Sequence, residues 1–155
     1  TAHQWWYAMA GSDQINNAWQ DEGLAEYSAL CFFEEHPDYG FTRTGLINSA
    51  TEAYRAYYSV YNQIFGDADT TMGRHLKDFV SDYEYVNIAY NKGLIMFDSL
   101  RTSIGDDRFF KGLKSYFESA NGKIATPEQL IESFTATGVD IAGFFDSFLE
   151  GKIII

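Results

Sequence analysis

An all-α helical bundle is the fold class this sequence predicts, and three observations carry that expectation. Apolar residues recur at steps of three and four nearly throughout, only two prolines interrupt 155 residues, and short breaks centred on glycine or proline cut the chain into helix-length pieces. A chain of this length buries roughly 70% of the surface its unfolded form exposes. The composition, 46% hydrophobic with 13 Phe and 11 Tyr, suits a packed core and not a disordered tail. No internal repeat, low-complexity stretch or linker appears, so we expect a single domain over residues 1–155.

Each element has its own signal. His3 to about Met9 reads as the end of a helix that stops near Gly11. A second helix is expected from about Asn17 to Glu34, closed by His36-Pro37-Asp38-Tyr39-Gly40, because the residue before a proline avoids the helical region. Asn48 or Ser49 is the expected cap of a third, running to Phe65 and stopped by Gly66, and Thr71–Val80 reads as a shorter helix. Tyr83, Val86, Tyr90, Gly93, Phe97, Leu100 and Ile104 draw one stripe along a fifth, which Gly105 ends. Asp106 or Asp107 opens a helix to about Ala120. Thr126-Pro127-Glu128-Gln129 supplies an N-cap with proline at the first helical position. The last helix is expected over Asp140–Leu149, ended by Gly151, with Lys152-Ile153-Ile154-Ile155 as a short strand-like tail.

Charge and composition exclude some functions. A net charge of -11 argues against nucleic acid as a partner, since that affinity rests on neutralising phosphates with Lys and Arg. No apolar run approaches the roughly 20 residues that span a bilayer, so no membrane contact is expected from this segment. The cellular address stays open among cytoplasmic, exported and anchored. The single cysteine, Cys31, lies among apolar residues and fits as a small buried side chain. Because the chain opens on Thr1 within helix-like sequence, we expect a processed or excised piece of a larger protein.

The most informative stretch is Ala2-His3-Gln4-Trp5-Trp6, followed by Asn17-Ala18-Trp19-Gln20-Asp21-Glu22-Gly23-Leu24-Ala25-Glu26-Tyr27, with eighteen residues between His3 and Glu22. Alone, His3 reads as a partly buried helix histidine and Glu22 as a solvated carboxylate. The spacing and the flanking residues together resemble the gluzincin zinc aminopeptidases, the family that includes aminopeptidase N. Those enzymes hold zinc with the two histidines of H-E-x-x-H and a glutamate from the next helix. Further on, Ile88-Ala89-Tyr90-Asn91-Lys92-Gly93 resembles the family's Tyr-x-Lys-Gly segment. Ile104 to Leu113 is similar to its following helix start, and Phe144-Phe145-Asp146-Ser147-Phe148-Leu149 to its closing aromatic signature.

The resemblance implies a fold and a chemistry. The bundle would be the C-terminal helical part of a thermolysin-like catalytic domain, binding a peptide substrate and hydrolysing N-terminal peptide bonds by zinc-activated water. His3 matches the second histidine and Glu22 the third ligand. Tyr90 matches the tyrosine that donates to the oxyanion, against a plain core role on its apolar stripe. Glu26, one turn after Glu22, is either an acceptor from a zinc-bound imidazole or a surface carboxylate, while Asp21 is expected exposed or locally hydrogen-bonded. The first histidine and the general-base glutamate would precede Thr1, as would the family's G-x-M-E-N segment. The zinc site is therefore expected to be weak or absent in these residues alone, and the piece inactive.

Other features read as structure. His36 and His75 lack partners at metal spacing and read as surface residues. Tyr54, Tyr57, Tyr58 and Tyr61 read as core packing before a peptide groove. Two rivals stand beside the peptidase: a non-catalytic helical module that binds a peptide or protein, and a scaffold that self-associates through an exposed, truncated face.

Overall fold

A computed structural model describes residues 2–155. Thr1, expected at a variable position of the zinc motif, lies outside the described residues. The architecture is helical: α1 (Ala18–Glu35), α2 (Arg43–Phe65), α3 (Asp82–Tyr85), a π-helical turn (Val86–Asn91), α4 (Lys92–Ile104), α5 (Asp106–Ala120), α6 (Pro127–Thr135) and α7 (Ala142–Leu149). A two-stranded parallel pair, β1 (Ala10–Ser12) and β2 (Lys123–Ala125), joins the beginning of the chain to the α5–α6 connection in the register Ala10↔Lys123 and Ser12↔Ala125.

Helix α1 runs through the centre, packed against α4 and the π-turn, with α2 across them and the α5–α6 pair on the other side. Its buried residues include Trp19, Leu24, Tyr27 and Leu30. Around them Phe97, Phe109, Phe134 and Phe145 form a chain of aromatic contacts from α4 to α7. No helix among the described residues is long and apolar enough to cross a membrane.

Several ends follow the chemistry of their caps. Thr126 accepts from the Gln129 amide while the Gln129 side chain accepts from the Thr126 amide, the expected capping box. Gly66 closes α2 with φ of 83°. The start of α2 is a correction: its N-cap is Thr42, whose Oγ1 accepts from Gly45 N, so the helix begins several residues before Asn48.

Other departures are larger. The first segment is one 3₁₀ turn (Ala2–Gln4) followed by turns and β1, not a helix end. Tyr7 there adopts φ of 127°, which no helix continues through. Thr71–Val80 holds only a 3₁₀ turn at Leu76–Asp78, because Arg74 is drawn to Asp69 at 2.8 Å and Glu84 at 3.0 Å. The Lys152–Ile155 tail forms no strand. Lys152 N and Ile153 N instead donate to the Ser147 carbonyl.

Candidate metal centre

His3 reaches the bundle because Trp6 anchors its segment. The Trp6 indole is buried, donates to Ser28 Oγ on α1 at 2.6 Å and stacks on Tyr116 at 6.0 Å. The β1–β2 pairing fixes the same segment from its other end. Glu22 arrives from the first turns of α1, and Tyr90 from the π-turn. Helices α1 and α4 meet through glycine: a Cβ on Gly93 would lie 2.9 Å from Gly23 Cα. That approach brings the Glu22 turn against the Tyr90 turn.

His3 Nε2 lies 3.0 Å from Glu22 Oε2, yet Oε2 is buried with no hydrogen-bond partner. The two atoms converge without the angle a hydrogen bond requires. The other ring nitrogen, Nδ1, faces the Trp6 carbonyl at 3.2 Å. With Nδ1–H donating there, Nε2 carries the free lone pair, the tautomer a metal-bound imidazole adopts. Two atoms each about 2.1 Å from one zinc lie roughly 3.0–3.5 Å apart, so the pair fits a shared ion.

The acidic surroundings fit a cation as well. Asp21 is buried, accepts from the Gln14 amide, and leaves Oδ1 unpartnered. Desolvation, opposed by the Gln14 hydrogen bond and reinforced by the Glu22 charge, pushes its carboxyl up. The exposed alternative for Asp21 is thus corrected in favour of local hydrogen bonding. Its Oδ2 lies 3.9 Å from His3 Nδ1, on the opposite side of the ring from Glu22. His3, Asp21 and Glu22 together offer ligand atoms within 4.8 Å of one another, but the two carboxylates face different ring nitrogens.

Two tyrosines close the site from the π-turn side. Tyr85 donates to Glu22 Oε1 at 3.1 Å, and its ring meets Tyr90 edge-on at 5.4 Å. Burial first, then the neighbouring Glu22, pushes both phenols well above the ordinary tyrosine value, so each stays a protonated donor. Tyr85 is the residue that sequence reasoning missed. Residues five apart diverge on an α-helix, but an i→i+5 π-turn carries both to one side. The same turn breaks the predicted stripe: Tyr83 and Val86 are exposed, whereas Gly93, Phe97, Leu100 and Ile104 are buried.

The remaining expected residues fall elsewhere. Glu26 is exposed on α1 and makes no hydrogen bond to His3 among the described residues, where Nδ1 faces Trp6 instead. His36 is exposed against the Phe32 ring, and His75 accepts from Lys77 N. Tyr54 and Tyr57 are fully buried, with Tyr58 and Tyr61 beside them.

Residues 1–148 match the peptidase family M1 domain. The chain belongs to peptidase family M1. It is 28% identical over 160 residues to aminopeptidase N of Lactococcus lactis subsp. lactis and 29% identical over 156 residues to aminopeptidase N of Lactobacillus helveticus. Each alignment covers 96% of this chain and 17% of the relative. Among solved structures, a variant of an M1 zinc metallopeptidase from Deinococcus radiodurans superposes with a TM-score of 0.71 at 19% identity, over 99% of this chain and 32% of that one. The same protein bound to a Tyr-Ser-Ala substrate gives 0.68. The helical architecture is therefore that of an M1 peptidase domain, and this family M1 chain spans about a sixth of the length of its curated relatives.

Proposed function

We propose that this family M1 chain contributes to a zinc peptidase centre that releases N-terminal residues from peptides. His3 Nε2 and Glu22 Oε2 are two of its three protein ligands. The observation that carries this is their convergence at 3.0 Å with Oε2 otherwise unpartnered and Nδ1 on the Trp6 carbonyl. The aminopeptidase N relatives support the N-terminal preference, and the Tyr-Ser-Ala complex of the Deinococcus protein supports a peptide substrate.

Zinc bound there supplies Lewis acidity and activates water for attack on a carbonyl. The chain's own residues supply the rest. Trp6 fixes the imidazole tautomer through its carbonyl. Tyr85 holds one oxygen of Glu22, leaving the other free. Tyr90, kept protonated by burial and by Glu22, donates to the charge that develops on the substrate carbonyl. Glu26 is outside hydrogen-bonding reach of His3, so its contribution is sought on the substrate side. Among the described residues two ligands and no carboxylate placed as general base are found, so we expect the 155-residue polypeptide alone to be inactive.

The test is chelator-sensitive hydrolysis of alanyl and leucyl chromogenic amides by the native polypeptide that carries these residues, with zinc content measured in parallel. Glu22→Ala is expected to lose both zinc and activity. Tyr90→Phe should retain zinc and lose about 10²- to 10³-fold in kcat. A folded, zinc-loaded protein that hydrolyses neither amide refutes the reading.

A further inference from the structure

Tyr85 is held by more than its own helix. α3 has four residues, and so short a helix does not fix where a long side chain ends. The position of the phenol is set by what its ring packs against. On one side that is Tyr90. On the other it is Phe79, whose ring meets Tyr85 edge-on at 5.1 Å. Phe79 in turn lies under the Arg74 guanidinium, whose central carbon is 4.0 Å from the ring centroid. The contacts form an unbroken series, from Arg74 to Phe79 to Tyr85, and it ends where the Tyr85 hydroxyl donates to Glu22 Oε1 at 3.1 Å.

Arg74 suits this contact better than it suits a plain loop anchor. Its side chain is 9% exposed, and its charge is met by Asp69 at 2.8 Å and by Glu84 at 3.0 Å. Yet Nε and Nη2 are buried without a hydrogen-bond acceptor among the described residues, a cost that an apolar side chain would not incur. A lysine ammonium could pair with the same two carboxylates, but it presents no plane to a ring. The guanidinium is fixed from the loop by Asp69 and from α3 by Glu84, and its flat face is left to cover Phe79.

We infer that Arg74 is a positioning residue for the candidate zinc ligand Glu22, acting through Phe79 and Tyr85. The assignment rests on the zinc-centre reading above. With the guanidinium over it, Phe79 keeps the Tyr85 ring against Tyr90 and the hydroxyl on Oε1, which leaves Oε2 turned toward His3 Nε2. Arg74 stands two contacts further from Glu22 than Tyr85 does, so its effect on the metal is the smaller of the two.

Zinc affinity of the native polypeptide that carries these residues, measured by competition with a chromophoric chelator, tests this without recourse to hydrolysis. Tyr85→Phe is expected to weaken zinc binding about tenfold, the lower end for a group that orients a metal ligand. Arg74→Lys should weaken it about threefold, the factor that loss of one cation–π contact gives. The double variant decides the route. With Tyr85→Phe already present, Arg74→Lys should cost no further factor, because the path to Glu22 is cut. Phe79→Leu leaves both ion pairs of Arg74 in place and runs through the same cycle should Arg74→Lys not fold. Equal factors in the two backgrounds, which a general loosening of the fold would produce, overturn the assignment. So does an Arg74→Lys protein that holds zinc as tightly as the unsubstituted one. Glu22→Ala separates the two levels: zinc lost there but unmoved by Arg74→Lys overturns the role of Arg74 alone, whereas zinc retained in Glu22→Ala refutes the zinc-centre reading and the assignment with it.

Discussion

Lys92 has no exposed surface and one hydrogen-bond partner, the Thr70 carbonyl at 2.6 Å, between the Tyr54 and Phe148 rings. Desolvation pushes its ammonium down to about 8, against the opposing pull of Asp69. The folded pKa is thus below the unfolded one, so between about pH 8 and 10.5 the unfolded chain holds more protons and stability rises with pH. Below that window the cost of the buried charge is present in full, about 3 kcal/mol. Lys92→Met is therefore expected to gain about 1–3 kcal/mol near pH 7 and to flatten the rise toward pH 9.5, measured by urea unfolding. Above pH 10 the buried tyrosines reverse the slope, since their folded values lie above their unfolded ones. At this same scale the site was partly legible. The pairing of His3 with Glu22 was expected from residue type and spacing, and Tyr90 from its resemblance to the family's tyrosine segment. Tyr85 could not, because its closeness to Tyr90 depends on a π-turn. Nor could the Trp6–Ser28 hydrogen bond, which joins residues 22 apart without any periodicity.

The helices themselves were legible at several local caps and stops, as at Thr126, Gly66 and Gly105, though the local Thr42 cap of α2 was missed. They were misjudged where a distant partner decided. The Thr71–Val80 stretch looks helical in isolation, but Arg74 pairs with half-exposed Asp69 and with buried Glu84, which accepts from Tyr57, and these contacts tie it to α2 and α3. The α1–α4 crossing has the sharpest consequence at this scale. Gly93→Ala places a methyl 2.9 Å from the Gly23 backbone, which has no side chain to move aside. It is expected to destabilise the fold by about 1–3 kcal/mol, lowering Tm by roughly 2–4 °C per kcal/mol, and, on the peptidase reading proposed above, to lower kcat by parting Tyr90 from Glu22. Gly143→Ala is the control, since its methyl meets open space. Thermal unfolding of both variants checks this, and equal losses would remove the crossing from the account.

Taken whole, the molecule carries 22 acidic and 11 basic residues. Burial does not soften that excess: Lys92, Arg101 and the nearly buried Arg74 guanidinium are matched by buried Asp21, Glu22 and Glu84, so the surface keeps the full acidic surplus. Self-repulsion of this kind is screened by salt. Raising ionic strength from about 20 to 200 mM should lift Tm by about 2–4 °C, the shift that ~1 kcal/mol gives at this size. A fall would mean that pairs such as Arg43–Asp98 outweigh the repulsion. The β1–β2 pairing sets a different kind of order. Residues 10–12 and 123–125 must meet before the first segment is held at both ends, and Gln20 reaches Thr126 across 106 residues. Long-range pairings of this sort close late, after their loop entropy has been overcome. During synthesis, then, His3 leaves the ribosome ahead of β2 and is not held from both sides until more than a hundred further residues have followed it. A ribosome-bound intermediate can build α1 and present Glu22 while the histidine beside it is still searching. If His3 and Glu22 hold zinc as proposed, the pair of ligands is complete only after that late closure.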